Sequence, residues 1–408
     1  MRVEPGKVLF SGMAEGNDTR SERYELATCP LYDSGTCRSC SLLGTPSGSR
    51  IGAKSKAVLD VLQEAGVQPQ AVEPMLLPST PWGSRAKVKM VVGGSLEDPL
   101  IGIVGPDLQC IELASCPLPP APVQLLLEHV RRAIKDFSLV PYDIQARRGE
   151  LKALIVMSNA DCSKGILRFV LRSTEAVPRI KKSLPGLAQA HPWIKVVSCN
   201  IQPLPAAILE GEQEILLTEN DQIEAQYGPV TLLFSPQSFM QVTPEVAGSL
   251  YAKAKQWGAE IKPRRLLDLF CGVGGFSLSL APACESVTGI ELSTMATESA
   301  ALAARRMGLA EKTRFIAGDA VSALRGLGQA SFDTVVVNPP RRGLSPELLK
   351  LVGELNPSWV LYSSCSPQTF ARDVAAWQGK LELVRVALFD MFPLTEHCEL
   401  LGLLRRAA

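Results

Sequence analysis

The sequence predicts an α/β protein with a Rossmann-like C-terminal domain that follows an α+β domain. After Pro263, apolar strand-like segments alternate with helical segments, which is typical of a parallel, doubly wound sheet. Between Ala86 and Gln202, segments rich in β-branched residues are interrupted by Gly and Pro, which predicts an antiparallel sheet. A length of 408 residues is that of two or three domains.

Four segments follow from these patterns. Residues 1–28 are polar and rich in Gly, Ser and charge, so we expect a flexible N-terminal extension there. Residues 29–120 contain a cysteine cluster and the start of the central domain, which residues 121–230 complete. Residues 231–408 form the Rossmann-like domain.

Composition narrows the class of protein. The net charge of +1 gives no global basic field, although basic residues occur in pairs: Arg147-Arg148, Lys181-Lys182, Arg264-Arg265 and Arg341-Arg342. No run is long and apolar enough to span a bilayer, and the N-terminus lacks the order of a secretory signal. We therefore expect a cytoplasmic protein whose 11 cysteines are thiols and metal ligands rather than a disulfide framework.

A glycine turn follows the first strand predicted after Pro263. That strand contains Asp268, and the turn contains Gly272 and Gly274, where a backbone can approach a ligand without a Cβ in the way. Glu291 ends the next strand, where a carboxylate can accept hydrogen bonds from both hydroxyls of a ribose. Ser277 replaces the third glycine of the dinucleotide pattern, which disfavours NAD. The acidic Asp268 suits a positively charged cofactor such as S-adenosylmethionine (SAM) better than a pyrophosphate.

Two later strands end in polar residues at the same predicted edge of the sheet. Asp319 either contacts the adenine of the cofactor or caps the following helix. Asn338 begins an Asn-Pro-Pro sequence, in which the two prolines restrict the loop. Methyltransferases that act on exocyclic amines carry the same sequence, usually followed by an aromatic residue. Here Arg341 follows, which disfavours amine methylation.

A cysteine ends the next strand, at the same edge as Asn338. Cys365 lies in the segment YSSCSPQ and is either a nucleophile or an inert buried thiol. Because uracil C5 is a poor nucleophile, a thiolate that adds to C6 is needed before C5 can accept a methyl group. The C5 proton must then leave to a base, and Glu396, His397 and Glu399 are the candidates.

Three cysteines lie close together near the N-terminus. Cys29, Cys37 and Cys40 form C-x7-C-x2-C, and either Cys110 or Cys116 can supply a fourth ligand. Four thiolates suit a [4Fe–4S] cluster or a structural zinc ion about equally. The spacing is not the C-x3-C-x2-C of radical SAM enzymes, so that class is excluded.

Together these motifs resemble the bacterial uracil-C5 RNA methyltransferases (the RumA, RumB and TrmA group), from about Cys29 to the C-terminus. The resemblance is carried by the following segments: CPLYDSGTCRSC, RAKVKMVVGGSLEDPLIG, LRFVLRS, NIQPLPAAILEGE, SPQSFMQV, DLFCGVGGF, VVVNPPRRG, YSSCSPQTFARD and FDMFPLTEHCEL. It implies SAM-dependent methylation of uracil C5 through a covalent cysteine adduct. It also implies an N-terminal [4Fe–4S] segment and a central domain that binds RNA.

The resemblance also implies residue roles where the motifs match. The implied cluster ligands are Cys29, Cys37, Cys40 and Cys116, the last because Cys-Pro-Leu begins there as in the family. Cys365 corresponds to the nucleophile and Glu399 to the base. The positions that correspond to SAM contacts are Gln241, Phe270, Glu291 and Asn338. The chain departs from the family at Leu394, where a His is common, and at Ser366, where Asn is usual.

The resemblance further implies a partner. The longer family members carry an N-terminal RNA-binding barrel, for which 28 residues are too few, and the members that modify tRNA lack the cysteine cluster. We therefore expect a monomer that acts on 23S ribosomal RNA, without DNA or membrane partners. Arg85, Lys87 and Lys89 alternate on one strand and are either an RNA guide or a solvated face. The competing functions are an RNA amine methyltransferase and a catalytically silent RNA-binding iron–sulfur protein.

Overall fold

The computed structural model describes residues 28–204, 209–327 and 332–407. All but the last residue of the predicted N-terminal extension lie outside this part of the chain. Within it, none of the helices combines the length and the apolar character that crossing a membrane requires. The first elements are α1 (Pro30–Asp33), α2 (Ser47–Glu64) and a short strand, β1 (Ala71–Val72).

Seven strands form the central sheet: β2 (Lys87–Gly94), β3 (Pro99–Val104), β4 (Cys110–Glu112), β5 (Leu151–Ser158), β6 (Gly165–Leu171), β7 (Ile194–Ile201) and β8 (Gln213–Leu216). Their order is β4-β3-β2-β5-β6-β7-β8. Helices α3 (Ala121–Asp136) and α4 (Val177–Ala190) cover one face. The predicted division at residue 120 therefore falls between β4 and a helix that packs on the same sheet.

The prediction of a purely antiparallel central sheet is wrong at one pair of strands. β6 and β7 are parallel, whereas the other neighbours are antiparallel. A parallel pair needs a crossover connection, and α4 supplies it. Along β2, buried and more accessible residues alternate, with Val88, Met90 and Val92 in the core beneath the helices, as expected for a half-buried strand.

A hairpin connects the two sheets. It consists of β9 (Ile223–Tyr227) and β10 (Val230–Phe234), which pair antiparallel. β9 packs against α5 (Pro244–Ile261), and both strands contribute to a core that includes Trp257. The predicted division at residue 230 therefore lies at the first residue of β10.

The C-terminal sheet contains the remaining strands: β11 (Arg265–Leu269), β12 (Ser286–Glu291), β13 (Thr313–Ala317), β14 (Thr334–Val337), β15 (Trp359–Ser364), β16 (Leu381–Phe389) and β17 (Glu399–Arg406). The connecting helices are α6 (Gly275–Leu280), α7 (Thr294–Arg306), α8 (Ala320–Gly326), α9 (Pro346–Glu354) and α10 (Pro367–Ala375), with short 3-10 turns at Ala281–Ala283 and Ala310–Lys312. The strand order is β1-β16-β17-β15-β14-β11-β12-β13, and separate apolar cores cover the two faces.

Two features of this sheet differ from a simple parallel, doubly wound arrangement. β17 is antiparallel to both of its neighbours, β15 and β16. The N-terminal segment also joins the sheet, because β1 pairs with β16 and α2 packs Val58 and Leu62 into the same core as Phe370 of α10. Residues far apart in sequence therefore build the domain that carries the predicted site.

Candidate active site

The predicted site residues converge on one edge of the C-terminal sheet. β11, β12, β13, β14 and β15 are parallel, so their carboxyl ends meet there. These ends carry the glycine turn, Glu291, Asp319, Asn338 and Cys365. Because β17 runs in the opposite direction, its first residue, Glu399, lies at that same edge. Open α/β sheets bind ligands outside this edge.

The glycine turn is hydrogen-bonded directly to Glu291, the carboxylate predicted to bind a ribose. The backbone N–H of Gly272 donates to Glu291 Oε2 at 3.2 Å, and the N–H of Ser293 donates to Glu291 Oε1 at 3.0 Å. Phe270, Gly272 and Gly274 have φ values of 64°, 53° and 92°. Phe270 is thus a non-glycine residue in the left-handed region, a conformation that costs about 1–3 kcal/mol and clusters at functional sites.

Asp268 lies fully buried beneath the turn. Its Oδ2 accepts hydrogen bonds from the N–H and the hydroxyl of Ser277 at 2.9 and 2.6 Å. Its Oδ1 is buried without a hydrogen-bond partner among the described residues. Burial raises the pKa of Asp268 to about 7. A buried acceptor beside a turn where a Cβ on Gly272 would meet only open space suits a polar, cationic cofactor.

The other predicted cofactor residues, Asn338, Asp319 and Gln241, differ in burial. Asn338 is half-buried, and its N–H donates to Leu269 O at 3.3 Å. Asp319 is exposed and caps α8, because its side chain accepts from Ser322 N–H at 3.0 Å. Gln241 is 9% exposed and lies in the segment between β10 and α5, where its carbonyl accepts from Tyr227.

Cys365 follows β15 and is half-buried. Burial raises the pKa of its thiol, the charge of Glu399 raises it further, and the charge of Arg341 lowers it. The charges of a carboxylate and of a guanidinium therefore both act on the pKa of this thiol. The net shift is upward, so burial and Glu399 favour the protonated thiol, and Arg341 is the group that favours the reactive thiolate.

The structure separates the three candidate bases. Glu396 and His397 are exposed, whereas Glu399 is 3% exposed. Ser363 donates its hydroxyl to Glu399 Oε1 at 2.8 Å. In the antiparallel pairing, Ser364 lies opposite Leu400, which brings the residues that follow and precede them, Cys365 and Glu399, to one end of the strand pair. Burial raises the pKa of Glu399 to about 7, the range in which a carboxylate is an effective general base.

Sequence patterns missed several residues of the site. In the sequence, Ser363 was only one residue of a predicted strand, and no pattern marked it as the hydrogen-bond partner of Glu399. Tyr251 of α5 is buried, which raises the pKa of its phenol, and the charges of Asp268 and Glu399 raise it further. Phe239 is 72% exposed, two residues before Gln241, and only exposure distinguishes this aromatic side chain from a core residue.

The cysteine cluster is brought together in space. Cys29, Cys37, Cys40 and Cys116 line one cavity of about 100 Å³. Burial raises the pKa of Cys40 to about 11, with smaller contributions from the other three thiols. Cys110 lines a different cavity, beside β2 and residues 142–145. Within the described part of the chain, no three Cys, His, Asp or Glu side chains are arranged to hold a single metal ion.

The three basic residues of the predicted RNA guide have different environments. Arg85 lines the cysteine cavity. Lys87 donates to Ser238 O at 2.9 Å, and burial lowers its pKa to about 8. Lys89 pairs with Glu210 at 2.5 Å. Protein groups therefore engage at least two of the three cations, and the strand does not present a row of unpaired charges.

Comparison with known proteins identifies the family. A profile of the family described as tRNA (Uracil-5-)-methyltransferase matches residues 220–407. A Shewanella loihica protein named 23S rRNA (uracil(747)-C(5))-methyltransferase RlmC is 40% identical over 379 residues, 93% of this chain and 99% of that protein. A Shewanella baltica protein of the same name is 41% identical over 92% of this chain and 96% of its own length. The chain belongs to the RNA uracil-C5 methyltransferase family.

A solved structure agrees with the fold of this uracil-C5 methyltransferase. The crystal structure of Pyrococcus abyssi tRNA (uracil-54, C5)-methyltransferase in complex with S-adenosyl-L-homocysteine matches with a TM-score of 0.73 and 22% identity. The match covers 90% of this chain and 85% of that one. The predicted SAM-dependent α/β methyltransferase domain is confirmed. Uracil-C5 methylation is therefore favoured over amine methylation and over a silent RNA-binding protein.

The two departures from the usual uracil-C5 methyltransferase motifs have structural roles here. Leu394 is 1% exposed and packs with Cys29 and Leu43 of the cysteine segment. Its φ of 66° lies in the left-handed region. Ser366 is the N-cap of α10, and its hydroxyl accepts from Thr369 N–H at 3.4 Å. Leu394 thus has a packing role and Ser366 a helix-capping role. Neither departure removes Cys365, Glu399 or another predicted site residue.

Proposed function

We propose that this enzyme methylates C5 of a uridine in 23S ribosomal RNA, with Cys365 as the covalent nucleophile and Glu399 as the general base. The observation that carries the residue assignment is the pairing of a half-buried thiol with a buried carboxyl at the sheet edge that holds the glycine turn. The ribosomal substrate is supported by relatives named for uracil 747 of 23S rRNA that align over nearly the whole chain. The enzyme acts as a cytoplasmic monomer.

The proposed reaction assigns one step to each residue. The Cys365 thiolate adds to uracil C6, which makes C5 nucleophilic enough to accept a methyl group. Glu399 then removes the C5 proton, the C5–C6 double bond re-forms and the thiolate leaves. A stacked base exposes neither C5 nor C6 sufficiently, so the target uridine must be flipped out or lie in a loop.

SAM supplies the methyl group when bound, and this chain's residues hold it. The glycine turn at Phe270, Gly272 and Gly274 lets the backbone approach the cofactor. Glu291 would accept hydrogen bonds from the ribose hydroxyls. Gln241 and Asn338 would also contact the cofactor, and Asp319, which caps α8, would contact the adenine.

The four-cysteine cavity supports a [4Fe–4S] cluster held by Cys29, Cys37, Cys40 and Cys116. Thiolates are the usual ligands of such clusters, and these four thiols line one cavity, so they would hold the cluster there. The cluster is structural, because methyl transfer requires no electrons.

Anaerobic purification is expected to give a brown protein with about four iron and four sulfide per chain. Replacing Cys116 with Ala should remove most of the iron, because one ligand of the cavity is lost. Replacing Cys110 with Ala is the matched control and should leave the iron content unchanged. Iron, sulfide and zinc analysis measures both, and stoichiometric zinc without sulfide would contradict the assignment.

Deletion of the gene tests the substrate. We expect 23S rRNA from the deletion strain to lack one 5-methyluridine, and a plasmid copy of the gene to restore it. Mass spectrometry of nuclease fragments locates the modification. An unchanged 23S rRNA with a 5-methyluridine missing from tRNA would refute the ribosomal assignment while leaving the chemistry intact.

A further inference from the structure

A buried lysine from the N-terminal helix lies against the loop that leads into Glu399. Lys54 is on α2 and is 3% exposed. The loop, residues 390–398, connects β16 to β17. Lys54 is more than 330 residues away in sequence, and neither the SAM site nor the nucleophile accounts for a buried cation there.

The ammonium group of Lys54 bridges the two ends of this loop. Its Nζ donates to Asp390 Oδ1 at 2.5 Å and to Phe392 O at 3.1 Å, near the start of the loop. It also donates to His397 O at 3.1 Å, two residues before Glu399. An ammonium group has three N–H donors, so these three acceptors use all of them. A buried charge is tolerated only when it is paired and hydrogen-bonded, and both conditions hold here.

Other N-terminal contacts reinforce the same loop. The N–H of Leu42, two residues after Cys40, donates to Leu394 O at 3.0 Å. The N–H of Asp390 donates to Leu76 O at 2.8 Å. The N-terminal segment therefore holds the start and the middle of the loop through its backbone. Lys54 adds the contact closest to Glu399.

We propose that Lys54 is a positioning residue for the general base: by bridging Asp390, Phe392 and His397 it fixes the loop that sets Glu399 beside Cys365. This inference rests on the proposed roles of Glu399 and Cys365. Lys54 does not touch the reacting atoms. Its loss leaves the thiolate and the SAM site in place and displaces the base. A displacement of about 1 Å costs about 100-fold in rate.

The test compares variants in single turnover with a 23S rRNA fragment and SAM labelled in the methyl group. Removing one partner of a buried ion pair strongly destabilises a protein. Lys54→Met is therefore accompanied by Lys54→Met/Asp390→Asn, in which neither member of this ion pair keeps its charge. Both should bind SAM with unchanged affinity, form the covalent enzyme–RNA complex, and release methylated RNA about 100-fold more slowly than the wild type. The methylated complex then accumulates on a denaturing gel.

Lys253→Met is the matched control. Lys253 lies on α5 and pairs with Glu73 at 2.6 Å, so this variant also removes a partly buried lysine from an ion pair, but outside the loop. It should release RNA at the wild-type rate. The inference is overturned if the double variant releases RNA at the wild-type rate or fails to bind SAM, the latter making Lys54 a folding residue. Retained activity in Cys365→Ala would instead overturn the proposed function.

Discussion

Cys365→Ala is expected to leave no methylation of the RNA and no covalent enzyme–RNA complex. The first bond of the reaction is the one from this sulfur to C6 of uracil, and without it C5 does not become nucleophilic. SAM affinity should remain that of the wild type, because Cys365 follows β15 whereas the glycine turn follows β11. Transfer of labelled methyl groups to RNA and a denaturing gel measure the two losses together.

A second cysteine variant shows whether the loss is specific. Cys110 is also half-buried, but it lies in β4 of the central sheet, so Cys110→Ala should retain both activity and the covalent complex. Methylation at the wild-type rate by Cys365→Ala would rule out the covalent mechanism.

Glu399→Gln is expected to stop the reaction one step later. The thiolate can still add to C6 and C5 can still accept the methyl group, but no carboxylate takes up the C5 proton. Loss of a general base slows a step by about 10²–10⁴-fold, so a methylated covalent complex should accumulate. Glutamine keeps the size of the side chain and an acceptor for Ser363, which should preserve the fold. The label retained on the protein after denaturation measures the accumulation.

Glu396→Gln is the control for this experiment. Glu396 belongs to the same loop but is exposed, so its replacement should leave turnover unchanged. Normal turnover by Glu399→Gln with a stalled complex in Glu396→Gln would move the base to the exposed residue and contradict the assignment from burial.

Local motifs were sufficient to predict the cofactor edge. A strand, a glycine turn and an acidic residue at the end of the next strand are encoded within about 25 consecutive residues, from Leu266 to Glu291. The rule that parallel strands end at one edge then brought Asn338 and Cys365 to the same edge. The structure agrees with this arrangement because each position depends on its own strand and its nearest turn.

Features that depend on distant segments were not predictable from periodicity. Residue type and spacing alone do not separate Glu396, His397 and Glu399. The family resemblance favoured Glu399, and the antiparallel direction of β17 and the burial of Glu399 supply a physical distinction. The parallel pairing of β6 and β7 was missed because apolar segments do not reveal strand direction. The sequence gives no sign that Lys54 differs from other helical lysines, because its partner Asp390 is distant in sequence and is adjacent only in the folded protein.

The most direct test of the covalent mechanism is the identity of the trapped adduct. Glu399→Gln is incubated with a 23S rRNA fragment and labelled SAM, the covalent complex is digested with protease and nuclease, and the products are sequenced by mass spectrometry. The account predicts a peptide that contains Cys365, joined through sulfur to C6 of a uridine methylated at C5. A label on an exocyclic amine, or an adduct at another cysteine, would contradict it.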